Sequence, residues 1–173
     1  YVVGGRKRYR MEILLGVTTD TYDAEGEVVD TGDASGVTRE MVEAALTPFV
    51  GSIKQTPPMY SAVKVKGQRL YKLARAGLEV EREARPVEIF SIQVTDWALP
   101  LMVVEVESGK GVYMRSLAHD LGQTLGCGGH VTSLERLYCG GFDAKNSVTL
   151  EALEEAAQEP GGWHKHVFAT DWA

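Results

Sequence analysis

The chain has 173 residues, 44% of them hydrophobic and 24% charged, enough for one cooperative core and too many for a short peptide module. Lys and Arg number 18 against 24 Asp and Glu, a formal charge of −6 that taken alone argues against a generic polyanion binder. Two cysteines, Cys127 and Cys139, argue against a disulfide scaffold, and a reducing cytoplasmic setting is the simpler expectation. No apolar run reaches the roughly 20 residues that span a bilayer, and the N-terminus lacks the apolar stretch of a secretory signal.

In chain order, residues 8–16 (RYRMEILLG) put Tyr9, Met11, Ile13 and Leu15 on one side of a predicted strand, which Gly16 closes. Residues 17–36 read as a long polar connection with a short strand near Glu27-Val28-Val29. A helix fits 39–49, with Thr38 as its cap and Met41, Val42, Ala45, Leu46 and Phe49 at helical spacing. Gly51, Pro57 and Pro58 argue against regular structure over 51–60. Ser61 to Val65 is a strand candidate, Lys66-Gly67 a turn, and Arg69 to Ala76 a helical segment ended by Gly77.

Residues 87–97 and 101–107 read as two strands joined around Pro100, and 113–125 as a helix whose Tyr113, Leu117, Leu121 and Leu125 form an apolar stripe. A further strand or extended loop covers 134–142, and a last helix follows Thr149. This order is not the regular alternation of a doubly wound fold, and no dinucleotide fingerprint, phosphate loop or repeat interrupts it. The expected class is α+β, with a mixed, largely antiparallel sheet and flanking helices.

The charge is unevenly spread. Residues 1–16 carry four basic and one acidic residue, 17–47 one basic and eight acidic, and 54–85 eight basic and three acidic. The basic block includes Lys54, Lys64, Arg69 and Arg75, with Tyr60 and Tyr71 among them, a pattern that suits a phosphate backbone with stacking groups nearby; a solvated charged face is the alternative. His119, His130, His164 and His166 do not take the spacing of a zinc motif, and the acidic run from Asp20 to Glu27 lacks the ligand order of a calcium loop, so no metal is expected. More informative are two aromatic and basic islands beside glycine, Arg6-Lys7-Arg8-Tyr9-Arg10 and Gly109-Lys110-Gly111-Val112-Tyr113-Met114-Arg115. Glycine admits a ligand close to the backbone, tyrosine stacks on a base, and arginine pairs with phosphate or carboxylate; a core-edge tyrosine and a surface arginine are the plainer readings.

With these islands the chain resembles the tRNA pseudouridine synthase B family, most closely its bacterial branch. The resemblance runs through Lys7-Arg8-Tyr9, the stretch GVTTDTYDAEG from Gly16 to Gly26, and GSIKQTPPMYSAVKV from Gly51 to Val65. It continues through GQRLY from Gly67 to Tyr71, GVYMRSLA from Gly111 to Ala118, and GCGGH from Gly126 to His130. It implies the pseudouridine synthase fold and isomerisation of uridine to pseudouridine in the T-loop of tRNA, position 55, without a cofactor. A carboxylate attacks, the glycosidic bond breaks, the uracil turns, and C5 rejoins the ribose. Tyr9 then matches the tyrosine that stacks on the flipped uracil and is a candidate for handling the C5 proton. Arg115 matches the arginine paired with the catalytic aspartate, Tyr113 lies beside it, and Leu134 matches an apolar residue lining the uracil pocket. Lys54, Tyr60, Lys64, Arg69 and Arg75 belong to the RNA-facing segment, about 54–85.

The family's catalytic aspartate lies upstream of the KRY motif, in a loop resembling GTLDP, and no such loop occurs in these residues. Asp20 and Asp23 belong to a different motif and are not expected to be nucleophiles. The expectation is therefore a single partial catalytic domain over 1–173, incomplete at the N-terminus and without the small C-terminal RNA-binding domain. Such a chain is inactive alone, partners a companion N-terminal segment and the tRNA T-arm, has no membrane association, and derives from a monomeric cytoplasmic enzyme. The competing expectation is a non-catalytic RNA-binding fragment.

Overall fold

A computed structural model describes residues 4–166. The first strand, β1 (Lys7–Leu15), buries Met11, Ile13 and Leu15 on one face and leaves Arg8 and Arg10 on the other, the period-two pattern of a half-buried strand. It occupies the middle of a six-stranded sheet of order β10-β9-β1-β8-β7-β4, in which every neighbouring pair is antiparallel. The other members are β4 (Gly51–Gln55), β7 (Arg85–Ala98), β8 (Leu101–Ser108), β9 (Gly129–Cys139) and β10 (Phe142–Asp143). Two small ribbons stand apart from it: β2 (Val17–Thr19) with β3 (Val28–Thr31), and β5 (Lys64–Val65) with β6 (Gln68–Arg69). The helices are α1 (Arg39–Leu46), α2 (Leu70–Arg75), α3 (Met114–Thr124) and α4 (Leu150–Ala157).

One core joins the sheet to α1 and α3. Met11 and Ile13 meet Met102, Val104 and Val106 of β8, Ile89 and Val94 of β7, Val42 and Leu46 of α1, and Leu117, Ala118 and Leu121 of α3. Each fully buried aliphatic side chain of this kind contributes about 1.5–3 kcal/mol, so the α3 stripe alone fixes that helix on the sheet. The opposite sheet face is polar, with Arg10 paired across the strands with Glu105 and Glu135, and Arg8 with Glu107. Gly122 of α3 lies against the backbone of Gly128 and Gly129, where a side chain would collide, while Gly126 and Gly128 take left-handed φ of 75° and 77°.

The α+β class and antiparallel sheet agree with the sequence reading, and Thr38 caps α1 through Met41 N–H at 3.3 Å. Two local expectations change. Residues 51–55 form a regular edge strand, because Gly51 to Gln55 pair with Ile89 to Arg85 and the prolines that disrupt structure come only afterwards. The last long strand begins at Gly129 rather than near 134, since its first residues pair with Leu15 and Leu14 at the end of β1. Ser61 to Val65 narrows to the two-residue β5, which the Lys66-Gly67 turn joins to β6.

Candidate active site and nucleic-acid interface

The start of α3 is pinned by the end of β4. Gln55 is 3% exposed, and both ends of its carboxamide engage the backbone of Tyr113: Nε2 donates to the carbonyl at 3.0 Å and Oε1 accepts the N–H at 2.7 Å. Ser116 Oγ donates to the Thr56 carbonyl at 2.8 Å. Tyr113, the residue before the helix, thereby has its N–H and carbonyl paired by one side chain, and Arg115 leaves the first turn in a fixed direction.

Arg115 Nη1 donates to Asp23 Oδ2 at 2.9 Å and to the Thr21 carbonyl at 3.3 Å, while Nη2 donates to the Tyr60 carbonyl at 2.7 Å. Three of the five N–H donors of the guanidinium are so used, and Nε–H with one Nη2–H can meet a further acceptor. The Arg115 and Asp23 side chains are 26% and 23% exposed, which leaves one edge of the pair open to solvent.

Asp23 is itself held. Thr21 Oγ1 donates to its Oδ1 at 2.6 Å, Glu25 N–H to the same oxygen at 3.1 Å, and Thr19 Oγ1 to its carbonyl at 2.7 Å. Val131 N–H donates to the Tyr22 carbonyl at 3.1 Å, and an isolated parallel bridge joins Asp23 to Val131. Asp20 has another task, closing the turn by accepting Glu27 N–H at 2.9 Å. The acidic stretch thus contributes one carboxylate to the arginine and one to loop closure. Asp23, Thr21 and Gln55 escaped the reading of the sequence as site residues. The one available signal for them was their place inside the TTDTYDAEG and QTPPMYSA motifs.

Tyr9 and Leu134 share the sheet face on which α3 packs. Tyr9 stands opposite Arg136, Met11 stands opposite Leu134, and Tyr9 packs on the core while Leu134 is 47% exposed. An exposed leucine diagonal to a tyrosine makes an apolar shelf suited to a planar base. Tyr9, Leu134 and the helix that carries Arg115 thus lie on one side of the sheet.

The basic segment divides into parts. Lys64 and Arg69 face each other across the β5–β6 hairpin, a like-charge pair that would repel without an anion nearby. The guanidinium carbons of Arg69 and Arg75 lie 5.9 and 5.5 Å from the centre of the Tyr71 ring. Beside the hairpin is a cavity of about 740 Å³ with Val63, Val65, Leu70 and Leu73 in its wall and Lys64 and Arg82 among its charges. Lys54 is exposed on β4, whereas Tyr60 joins the Arg115 site through its carbonyl.

Two titratable groups follow Arg115 on α3. Burial, and then the charge of Arg82, hold the His119 imidazole below its ordinary range, and its Nδ1 is buried without a partner among the described residues. Burial pushes the Asp120 carboxyl up to about 6.

The fold recurs in solved structures. The "Crystal Structure of a Cbf5-Nop10-Gar1 Complex" aligns with a TM-score of 0.70 at 23% identity, over 96% of this chain and 42% of that one. The "Structure of H/ACA RNP bound to a substrate RNA containing 2'-deoxyuridine" aligns with a TM-score of 0.64 at 20% identity, over 95% and 40%. In sequence the chain is 46% identical over 155 residues to tRNA pseudouridine synthase B of Clostridium tetani, covering 90% of this chain and 54% of the relative. It is 50% identical over 157 residues to the protein of the same name from Heliobacterium modesticaldum, covering 89% and 51%. The chain spans about half the length of the curated relatives it matches. The profile of the TruB family pseudouridylate synthase N-terminal domain matches residues 1–114, and that of the tRNA pseudouridylate synthase B C-terminal domain matches residues 115–163. The chain accordingly belongs to the TruB family of pseudouridylate synthases.

Proposed function

We propose that the chain forms the arginine side of a site that isomerises uridine to pseudouridine in the T-loop of tRNA, at position 55, in the cytoplasm. The observation that carries this reading is the divided use of Arg115: Asp23, Thr21 and Tyr60 hold one part of the guanidinium, and two donors stay available for a second carboxylate. Asp23 is engaged by Arg115, Thr21 and Glu25, so it orients the arginine and leaves nucleophilic attack to another group. That group is a carboxylate upstream of Lys7-Arg8-Tyr9. Arg115 keeps it ionised and aimed at the ribose.

In this reading Tyr9 stacks on the extruded uracil and handles the C5 proton, Leu134 forms the apolar wall, and Tyr113 lines the same pocket. Breaking the N1–C1′ bond and forming C5–C1′ leaves the atoms of the base unchanged, with C5 losing a proton and N1 gaining one; no redox group takes part. Lys54, Tyr60, Lys64, Arg69 and Arg75 face the RNA. Extrusion of a base from a folded loop requires such a grip on the backbone.

The test joins the chain, at Tyr1, to the upstream segment of the Clostridium tetani relative and measures tritium release from a T-arm hairpin carrying 5-tritiated uridine. Release by the joined protein and none by the chain alone is the expected result. Release by the chain alone would place the nucleophile within these residues, and none from either would refute the assignment.

A further inference from the structure

Arg115 and His119 stand one helical turn apart on α3 and project toward the same loop. Arg115 holds the Thr21 carbonyl and the Asp23 carboxylate, the two groups that flank Tyr22. His119 holds Tyr22 itself: the two rings are stacked with centres 3.8 Å apart and planes inclined by 12°. Tyr22 adopts φ 64°, a left-handed conformation that disfavours a large side chain, so the loop keeps this shape only where its surroundings enforce it. The backbone on either side is fixed by Tyr22 N–H donating to the Thr19 carbonyl at 3.2 Å and by Val131 N–H donating to the Tyr22 carbonyl.

We propose that the Tyr22–His119 stack is a positioning pair that sets the direction of the Arg115 guanidinium by locking the loop carrying its acceptors to the helix carrying the arginine. The contact works through ring area. His119 Nδ1 is buried and makes no hydrogen bond among the described residues, so a flat ring lacking that nitrogen should serve as well. Neither residue touches the reacting base; both act through Arg115. For its effect on turnover the inference rests on the proposed isomerisation, and for its geometry it does not.

The test follows the side-chain N–H signals of Arg115 in the 15N-arginine-labelled chain, assigned by their loss in Arg115→Lys. In the native chain the Nη signals should be separate and slow to exchange. His119→Ala should merge them, His119→Phe should restore them, and Tyr22→Gly should merge them even though glycine relieves the left-handed strain. If His119→Ala does not fold, Tyr22→Gly and His119→Phe decide the matter. Separate Arg115 signals in folded His119→Ala or Tyr22→Gly, with only the melting temperature lowered, overturn the proposal, and so does a His119→Phe protein as mobile as His119→Ala.

In the joined protein His119→Ala should lower kcat by about ten- to a hundredfold with KM nearly unchanged, and a change in KM alone contradicts the positioning role. If the native joined protein makes no pseudouridine, the isomerase reading fails, while the arginine signals still decide the inference.

Discussion

The Gln55 carboxamide closes a two-point clasp on the Tyr113 backbone, donating to its carbonyl at 3.0 Å and accepting its N–H at 2.7 Å across 58 residues of sequence. The clasp joins the sheet edge to the start of the arginine-bearing helix. Gln55→Ala leaves the Tyr113 N–H without its partner, while the Tyr113 carbonyl keeps the Leu117 N–H at 3.1 Å, and should cost about 1–3 kcal/mol. Urea unfolding measures this loss, and a change below experimental error would show that water replaces the amide freely.

Asp23→Asn removes the charge from the Arg115 pair while keeping its shape. Both side chains retain partial solvent contact, so the loss of stability should be modest, about 0.5–1 kcal/mol. A double-mutant cycle with Arg115→Gln should return a coupling of the same order. Strict additivity of the two substitutions would mean that the pair contributes nothing.

Asp120 gives the fold a distinctive pH dependence. Burial alone raises its carboxyl from 3.8 to about 6 in the folded chain. Below about pH 3 the group is protonated in folded and unfolded chains alike, and its contribution is fully present. As pH rises through about 6 the folded chain must hold a charge that the unfolded chain carries freely, and that contribution is lost. Asp120→Asn should therefore match the native chain near pH 3 and exceed it by about 1–3 kcal/mol near pH 7.5. Melting curves at the two pH values check this, and a constant difference between the proteins would rule out the titration of Asp120 as its cause.

Neutralising Lys64 and Arg69 should weaken binding to a T-arm hairpin and flatten its salt dependence by about 0.7–0.9 logarithmic units for each phosphate that is no longer neutralised. Fluorescence anisotropy over a salt series reads both quantities. Unchanged affinity and slope at moderate salt would remove the β5–β6 hairpin from the RNA surface.

Much of this fold is legible in the sequence where the pattern is local. Met11, Ile13 and Leu15 declare β1 by alternation, Leu117 and Leu121 declare α3 by their four-residue spacing, and Thr38 and Thr149 mark helix starts that they do cap. β4 is obscured because Gly51 and the Pro57-Pro58 pair dominate a ten-residue window, although the strand residues between them alternate in burial as an edge strand should. Arg115 and Tyr9 stand out through their motifs. The partners of Arg115 do not, because the hydrogen bonds to Asp23 and Tyr60 span 92 and 55 residues and depend on a left-handed turn at Tyr22 that local patterning disfavours.

The most direct test of the isomerase reading compares Tyr9→Leu and Arg115→Ala in the joined protein, measuring tritium release and T-arm binding side by side. If these residues act on the uracil and on the nucleophilic carboxylate, both substitutions abolish most of the release and leave RNA affinity within about threefold, a difference below 1 kcal/mol. Parallel losses of binding and release, or full release from either variant, would contradict the catalytic roles assigned to Tyr9 and Arg115.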